Sequence, residues 1–246
     1  MKKLPPILQN LIYITYLAEL LPFILCLVFI KKIKSTELKV FFLYTATFAI
    51  FLGVSLYFKF FLKNPFYQLL VNRIFLVVEF TFLCIFFKII LTYKYKTAIS
   101  IVAILFFLLF SFYDYYVSKL GEFSFIPLVI ECLFFVSVIV YFFYEKIQYN
   151  ISSPIYYSFS FWISLAFLIY FSGNFFLFLF SKSMYKNPEF RIEFTIIYSS
   201  VTLIKNVLLC IAILVNNYNV KKEMNNSIPL DIDLGTFNPL SQHTNL

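Results

Sequence analysis

Five ionisable residues, Glu19, Arg73, Glu79, Glu131 and Lys205, stand inside long apolar runs of this 246-residue chain. The plainest case is "TLIKNVLL" at 202–209, where Lys205 is the one charged residue between Phe194 and Val215. A lysine at the centre of a spanning helix costs roughly 2.5–3.5 kcal/mol, so a compensating group is required. Acids and cations in such positions pair with one another, hold a ligand ion or exchange a proton. Three carboxylates face two cations here, which leaves one acid either wet or neutral and able to respond to a proton or a ligand cation. Glu19, near Pro22 and without an arginine at its depth, is the candidate for that role.

The surroundings of these residues are those of a membrane protein. With 62% hydrophobic and 13% charged residues, the chain lies far from the soluble average of roughly 25% charged. Seven runs of about 20 apolar residues match a hydrocarbon core about 30 Å thick: 11–30, 40–58, 67–91, 98–117, 125–144, 155–180 and 194–215. The expected fold is an all-α membrane protein, a bundle of seven transmembrane helices over residues 1–216, in the inner (plasma) membrane, followed by a flexible cytoplasmic tail, 217–246. The first run carries Glu19 and has no small-residue cleavage site, so it is read as a helix rather than a secretory signal. Ten Lys near helix ends fall on one side, and eight Lys or Arg on the other. That bias places the N-terminus outside and the C-terminus inside.

Depth restricts which charges meet, because a helix rises about 1.5 Å per residue. Glu79 and Lys205 are at the midpoints of their runs and Glu19 is close to its own. Lys205 is therefore expected beside Glu79 or Glu19, and Arg73, six positions further out than Glu79, beside Glu131. All five charges are on odd-numbered helices, which suggests one shared polar interior. Asn72, Leu76, Glu79 and Leu83 form one stripe on helix 3; Tyr198, Thr202, Lys205 and Leu209 form one on helix 7, with Ser199, Thr202 and Asn206 adjoining. In helix 6, "YFSGNFF" (170–176) offers Gly173 for close approach and Asn174 for hydrogen bonds to a neighbouring helix. The candidate polar core is thus Glu19, Asn72, Arg73, Glu79, Glu131, Asn174, Lys205 and Asn206. The plainer alternative is that these residues only fasten helices together.

Other features are less specific. Cys26, Cys84, Cys132 and Cys210 fall one per helix in apolar runs and read as filler, and the single histidine, His243, is in the tail. Neither a metal site nor a cofactor is expected. "KNPFYQLL" (63–70) echoes "KNPEFRIE" (186–193), either as a repeat of helices 1–3 in 5–7 or as ordinary Asn-Pro turn chemistry. Tyrosines such as those of "YDYY" (113–116) read as interfacial anchors, and the sequons at Asn150 and Asn225 fall on the cytoplasmic side.

No nucleophile with a base, phosphate-cradling loop or metal-ligand set is present, so an enzyme is not expected. Length, seven runs and a lysine in the last helix are similar to microbial rhodopsins, but Leu76 and Val201 stand where that family's carboxylates would be, which argues against retinal. "VNRIFLVVEFTFLCIFF" (71–87), "YFSGNFFLFLF" (170–180) and "LIKNVLLCIAIL" (203–214) resemble bacterial seven-helix membrane proteins of the kind that form sensor regions of membrane histidine kinases. That resemblance implies a sensing or signal-relay role, read out by a membrane or cytoplasmic protein partner through the tail or the helix faces. A pore-type effector and a small-solute transporter are the alternatives, and a nucleic-acid partner is not expected.

Overall fold

The computed structural model of the chain describes residues 5–33, 35–62, 65–117, 124–149, 155–184 and 187–226. Seven helices carry the fold: α1 Pro6–Val28, α2 Thr36–Tyr57, α3 Pro65–Ile90, α4 Lys96–Val117, α5 Ile126–Tyr149, α6 Phe159–Met184 and α7 Pro188–Asn226. All seven are long and apolar enough to cross a membrane, and no strand occurs among the described residues. This is the architecture of a multi-pass membrane protein, in which every backbone polar group of a span is satisfied within its own helix.

Local chemistry sets where the helices begin. Proline occupies the first turn of α1, α3 and α7, where its missing N–H is not needed. Ser35 caps α2 by accepting the Leu38 N–H at 3.3 Å. Asn187 Oδ1 accepts the Glu189 N–H at 3.0 Å, so the second Asn-Pro pair acts as turn chemistry opening a helix. Lys63, Asn64 and Lys186 of the echo lie outside the described residues, as do Asn150, His243 and 227–246 of the expected tail.

One expected boundary moves. The polar stretch from 217 does not end the last helix, which continues to Asn226. Extending an existing helix fixes one residue for each hydrogen bond gained, whereas starting one is costly, so a change to polar composition need not stop it. The run from 155 is shifted along the chain: Ile155–Tyr157 is a 3₁₀ turn, and α6 begins at Phe159 and continues to Met184.

Packing follows chain order into a closed ring, with α1 against α2 and α7, α2 against α3, α5 against α6, and α6 against α7. Helix α6 is central, with half of its apolar window buried, whereas α4 sits at the edge on α3 with 6% buried. For convenience, the end of the bundle holding the start of α1 is called the N-face, and the opposite end the C-face. The C-face half is filled by aromatic and aliphatic side chains, among them Phe87, Phe135, Phe142, Ile139, Ile163 and Phe167, each at most 2% exposed.

Gly173 lets α6 and α7 meet at this density. A β-carbon there would stand 2.9 Å from Cγ2 of Val201, closer than carbon atoms tolerate. Gly173→Val should therefore cost about 1–3 kcal/mol, as overpacking of a tight core does. Adding Val201→Ala should recover most of the loss, measured as reversible unfolding of the purified protein in mild detergent.

Candidate ligand cavity

Glu79 projects from α3 into the middle of the bundle and is 6% exposed. Its Oε1 accepts a hydrogen bond of 2.8 Å from the hydroxyl of Tyr44 on α2. Lys205 projects from α7 and is 3% exposed. Its ammonium stands 4.3 Å from the ring centroid of Tyr170 on α6 and 5.5 Å from that of Phe48 on α2. Such a geometry is favourable because the ring face carries negative quadrupole charge, and it gains strength away from water.

Glu19 on α1, Glu79 on α3 and Glu131 on α5 all lie within electrostatic range of Lys205. Among the described residues, however, no carboxylate oxygen approaches the ammonium within the 4.0 Å of an ion pair. By depth Lys205 is expected beside Glu79 or Glu19; both act on it electrostatically, but neither is in contact with it. Contact with the ammonium is made by tyrosine and phenylalanine rings.

A cavity of about 310 Å³ opens onto this cluster. Glu19, Glu79 and Lys205 line it together with Tyr16, Asn72 and Tyr198, and every helix except α4 contributes to the wall. Gln68 on the same wall is eleven residues before Glu79, about 16 Å along α3 toward the N-face. Around that upper part Ser55 donates to Asn72 Oδ1 at 3.1 Å, and exposed Lys59 donates to the Tyr16 hydroxyl at 3.3 Å. Phe125 just before α5, Phe178 on α6 and Phe194 on α7 form an aromatic collar, with centroids 6.3–6.4 Å apart. Toward the C-face the cavity ends on the apolar core. It is a blind, one-sided vestibule with acids and one ammonium at its floor.

Four of the eight candidate residues, Glu19, Asn72, Glu79 and Lys205, therefore share one wall. Arg73 does not join them. Its guanidinium stacks over the Tyr115 ring of α4 at 5.4 Å, and it lines a separate cavity with Asp114 and Ser124. The expected Arg73–Glu131 pairing is thus corrected: Arg73 turns outward to α4, while Glu131 acts on Glu79 and Lys205. Arg73 sits about 100° around the helix from the Asn72 stripe, and its long stem follows that phase rather than bending back.

Asn174 and Asn206 are buried, as expected, at 0% and 3% exposure. The interhelical hydrogen bonds expected of Asn174 are not formed: neither its Oδ1 nor its Nδ2 has a partner among the described residues. The same holds for Asn206 Nδ2, Thr202 Oγ1, Ser164 Oγ and Glu131 Oε1. Except for Glu131 on α5, these unpaired polar atoms belong to α6 and α7, the two helices that pack most closely. Each such atom costs about 1–3 kcal/mol relative to a paired one.

Tyr44 and Tyr170 were not among the residues the sequence singled out, because tyrosine near a membrane reads as an interfacial anchor, and Tyr198 entered only as a member of the Lys205 stripe. Their positions carried a signal nonetheless, since each falls well inside its helix rather than at an end. No family model matches the chain, and no curated protein or solved structure matches it either.

Removing the Tyr44 hydroxyl with Tyr44→Phe should cost about 1.5–3 kcal/mol, the usual loss for a hydrogen bond to a charged group. Lys205→Met should be worse tolerated alone than together with Glu79→Gln. A double-variant cycle of unfolding free energies is expected to return a favourable coupling between about 0.5 and 3 kcal/mol.

Proposed function

We propose that the protein is a membrane sensor that binds a small organic cation in the vestibule and relays its presence through α6 and α7. The observation that carries this reading is the one-sided cavity, with two acids and one ammonium on its floor and aromatic walls. Its volume, about 310 Å³, is at the lower end of the roughly 300–1,000 Å³ typical of small-molecule sites.

The ligand class follows from charge and wall chemistry. Among the described residues Lys205 is the one cation that acts on all three acids, so two acids are left without a positive partner, and a cationic guest would favour the ionised form of either. Glu79 is occupied by Tyr44, but Glu19 lines the cavity with no hydrogen bond to its carboxylate among the described residues. An ammonium group would sit on Glu19, and its apolar or aromatic body against Phe51, Phe75 and Tyr198. The distribution of lysines between the two faces favours an outward-facing mouth.

Helices α6 and α7 supply something to relay. Polar atoms left unpaired on α6 and α7 favour any small rotation or slide that pairs them, and a ligand that contacts both helices can bias such an equilibrium. Trp162, the single tryptophan of the chain, lies on α6 eight residues toward the C-face from Tyr170, with its Nε1 donating to the Tyr156 carbonyl at 2.8 Å.

The test is titration of purified protein with phenethylammonium, its neutral alcohol analogue and a matching carboxylate. The ammonium compound alone should bind, and its binding should shift Trp162 fluorescence. Glu19→Gln should weaken it at least tenfold, about 1.4 kcal/mol, while leaving the unfolding temperature near that of the parent. Equal responses to all three compounds, or none to any, would overturn the reading. Uptake of labelled ligand into proteoliposomes would turn it into that of a transporter.

A further inference from the structure

On the other side of the bundle, α4 lies against α3 but meets α5 only sparsely, which leaves a crevice between α4 and α5 with α3 as its floor. Two cavities of about 430 Å³ each occupy it, and they adjoin at Ile99 and Phe134, which line both. The part at the C-face is bordered by Lys88, Lys96, Tyr93 and Tyr141. The inner part is wholly apolar, walled by Val102, Ala103, Phe106, Phe107 and Ile130. From Lys96 to Phe107 the cleft extends eleven residues, about 16 Å. That is half of a hydrocarbon core about 30 Å thick, the depth of one leaflet.

We propose that this cleft is a binding site for a single anionic glycerophospholipid, with its phosphate between Lys88 and Lys96 and one acyl chain laid between α4 and α5. The charge distribution favours an anion over a neutral headgroup. Lys96 uses one of its three hydrogens on the Leu91 carbonyl, which fixes the ammonium at the rim with two still to donate. Lys94 stands nearby on the same connection, over the Tyr95 ring at 5.8 Å. Neither described acid at this end lines the cleft: Glu145 is 4% exposed and accepts from the Thr92 N–H at 2.8 Å in the α3–α4 connection, and Glu37 on α2 accepts from the Ser160 hydroxyl on α6. Basic pockets between spanning helices at a lysine-rich face are where acidic headgroups bind. The lipid would also supply the packing that α4 lacks, since this helix has the smallest buried share of the seven.

The test uses the full chain, delipidated in mild detergent and offered phosphatidylglycerol or phosphatidylcholine of identical chains, with retained lipid counted by native mass spectrometry. One phosphatidylglycerol per protein is expected, held at least tenfold more tightly than phosphatidylcholine. The double variant Lys88→Gln/Lys96→Gln should erase that preference, and Ala103→Phe, which fills the apolar part, should lower retention of both lipids. Equal retention of the two lipids by the unaltered protein, or an unchanged preference in the lysine variant, would overturn the proposal. The unaltered protein decides headgroup choice by itself, so a variant that fails to fold does not block the test.

Discussion

An ammonium at mid-span has to be solvated by something other than lipid, and the placement of six helices follows from how that is done. Lys205 is set over the ring of Tyr170 and close to that of Phe48, while three acids from α1, α3 and α5 act on it from further away. Holding rings on one side and acids on the others requires α1, α2, α3, α5, α6 and α7 to face a common axis. Helix α4 contributes nothing to that centre and is the least buried.

The arrangement keeps the charges near one another without locking them in a contact pair. A direct buried pair is often no more stabilising than an apolar replacement, because desolvation offsets the attraction. Here a vestibule reaches the acids from the N-face, and a dense aromatic core closes the other half. The bundle therefore combines a rigid half that sets the fold with an open half that has room for a guest. The unpaired polar atoms of α6 and α7 are buried, from Ser164 to Asn174 on α6 and at Thr202 and Asn206 on α7.

The helices were legible in the sequence because apolar length is a strong signal, and because proline, Ser35 and Asn187 mark where helices start. The end of α7 was not, since polar residues leaving a membrane continue a helix as readily as they leave it. The joining of Glu19, Asn72, Glu79 and Lys205 was legible from depth alone: three of them lie at mid-span on helices running the same way. What depth does not encode is rotation about the helix axis, and Arg73 shows the consequence. It has the right depth for Glu131 but points to Tyr115 on α4. The tyrosines were hidden for a different reason: a residue with an apolar ring and a polar tip serves both an interface and a buried acid, and the Tyr44 contact with Glu79 joins residues 35 positions apart.

The central claim is that water enters the bundle from one face as far as the acids beside Lys205. Single cysteines introduced at Ser55, Asn72 and Phe75, in a background with the four native cysteines replaced by alanine, test it with a charged, membrane-impermeant thiol reagent in sealed vesicles. All three should react when the N-face is exposed to the reagent and remain unmodified when the C-face is, while a cysteine at lipid-facing Leu133 reacts from neither side. Silence at Ser55, Asn72 and Phe75 from both faces would contradict the account and leave the charges as dry fastenings between helices.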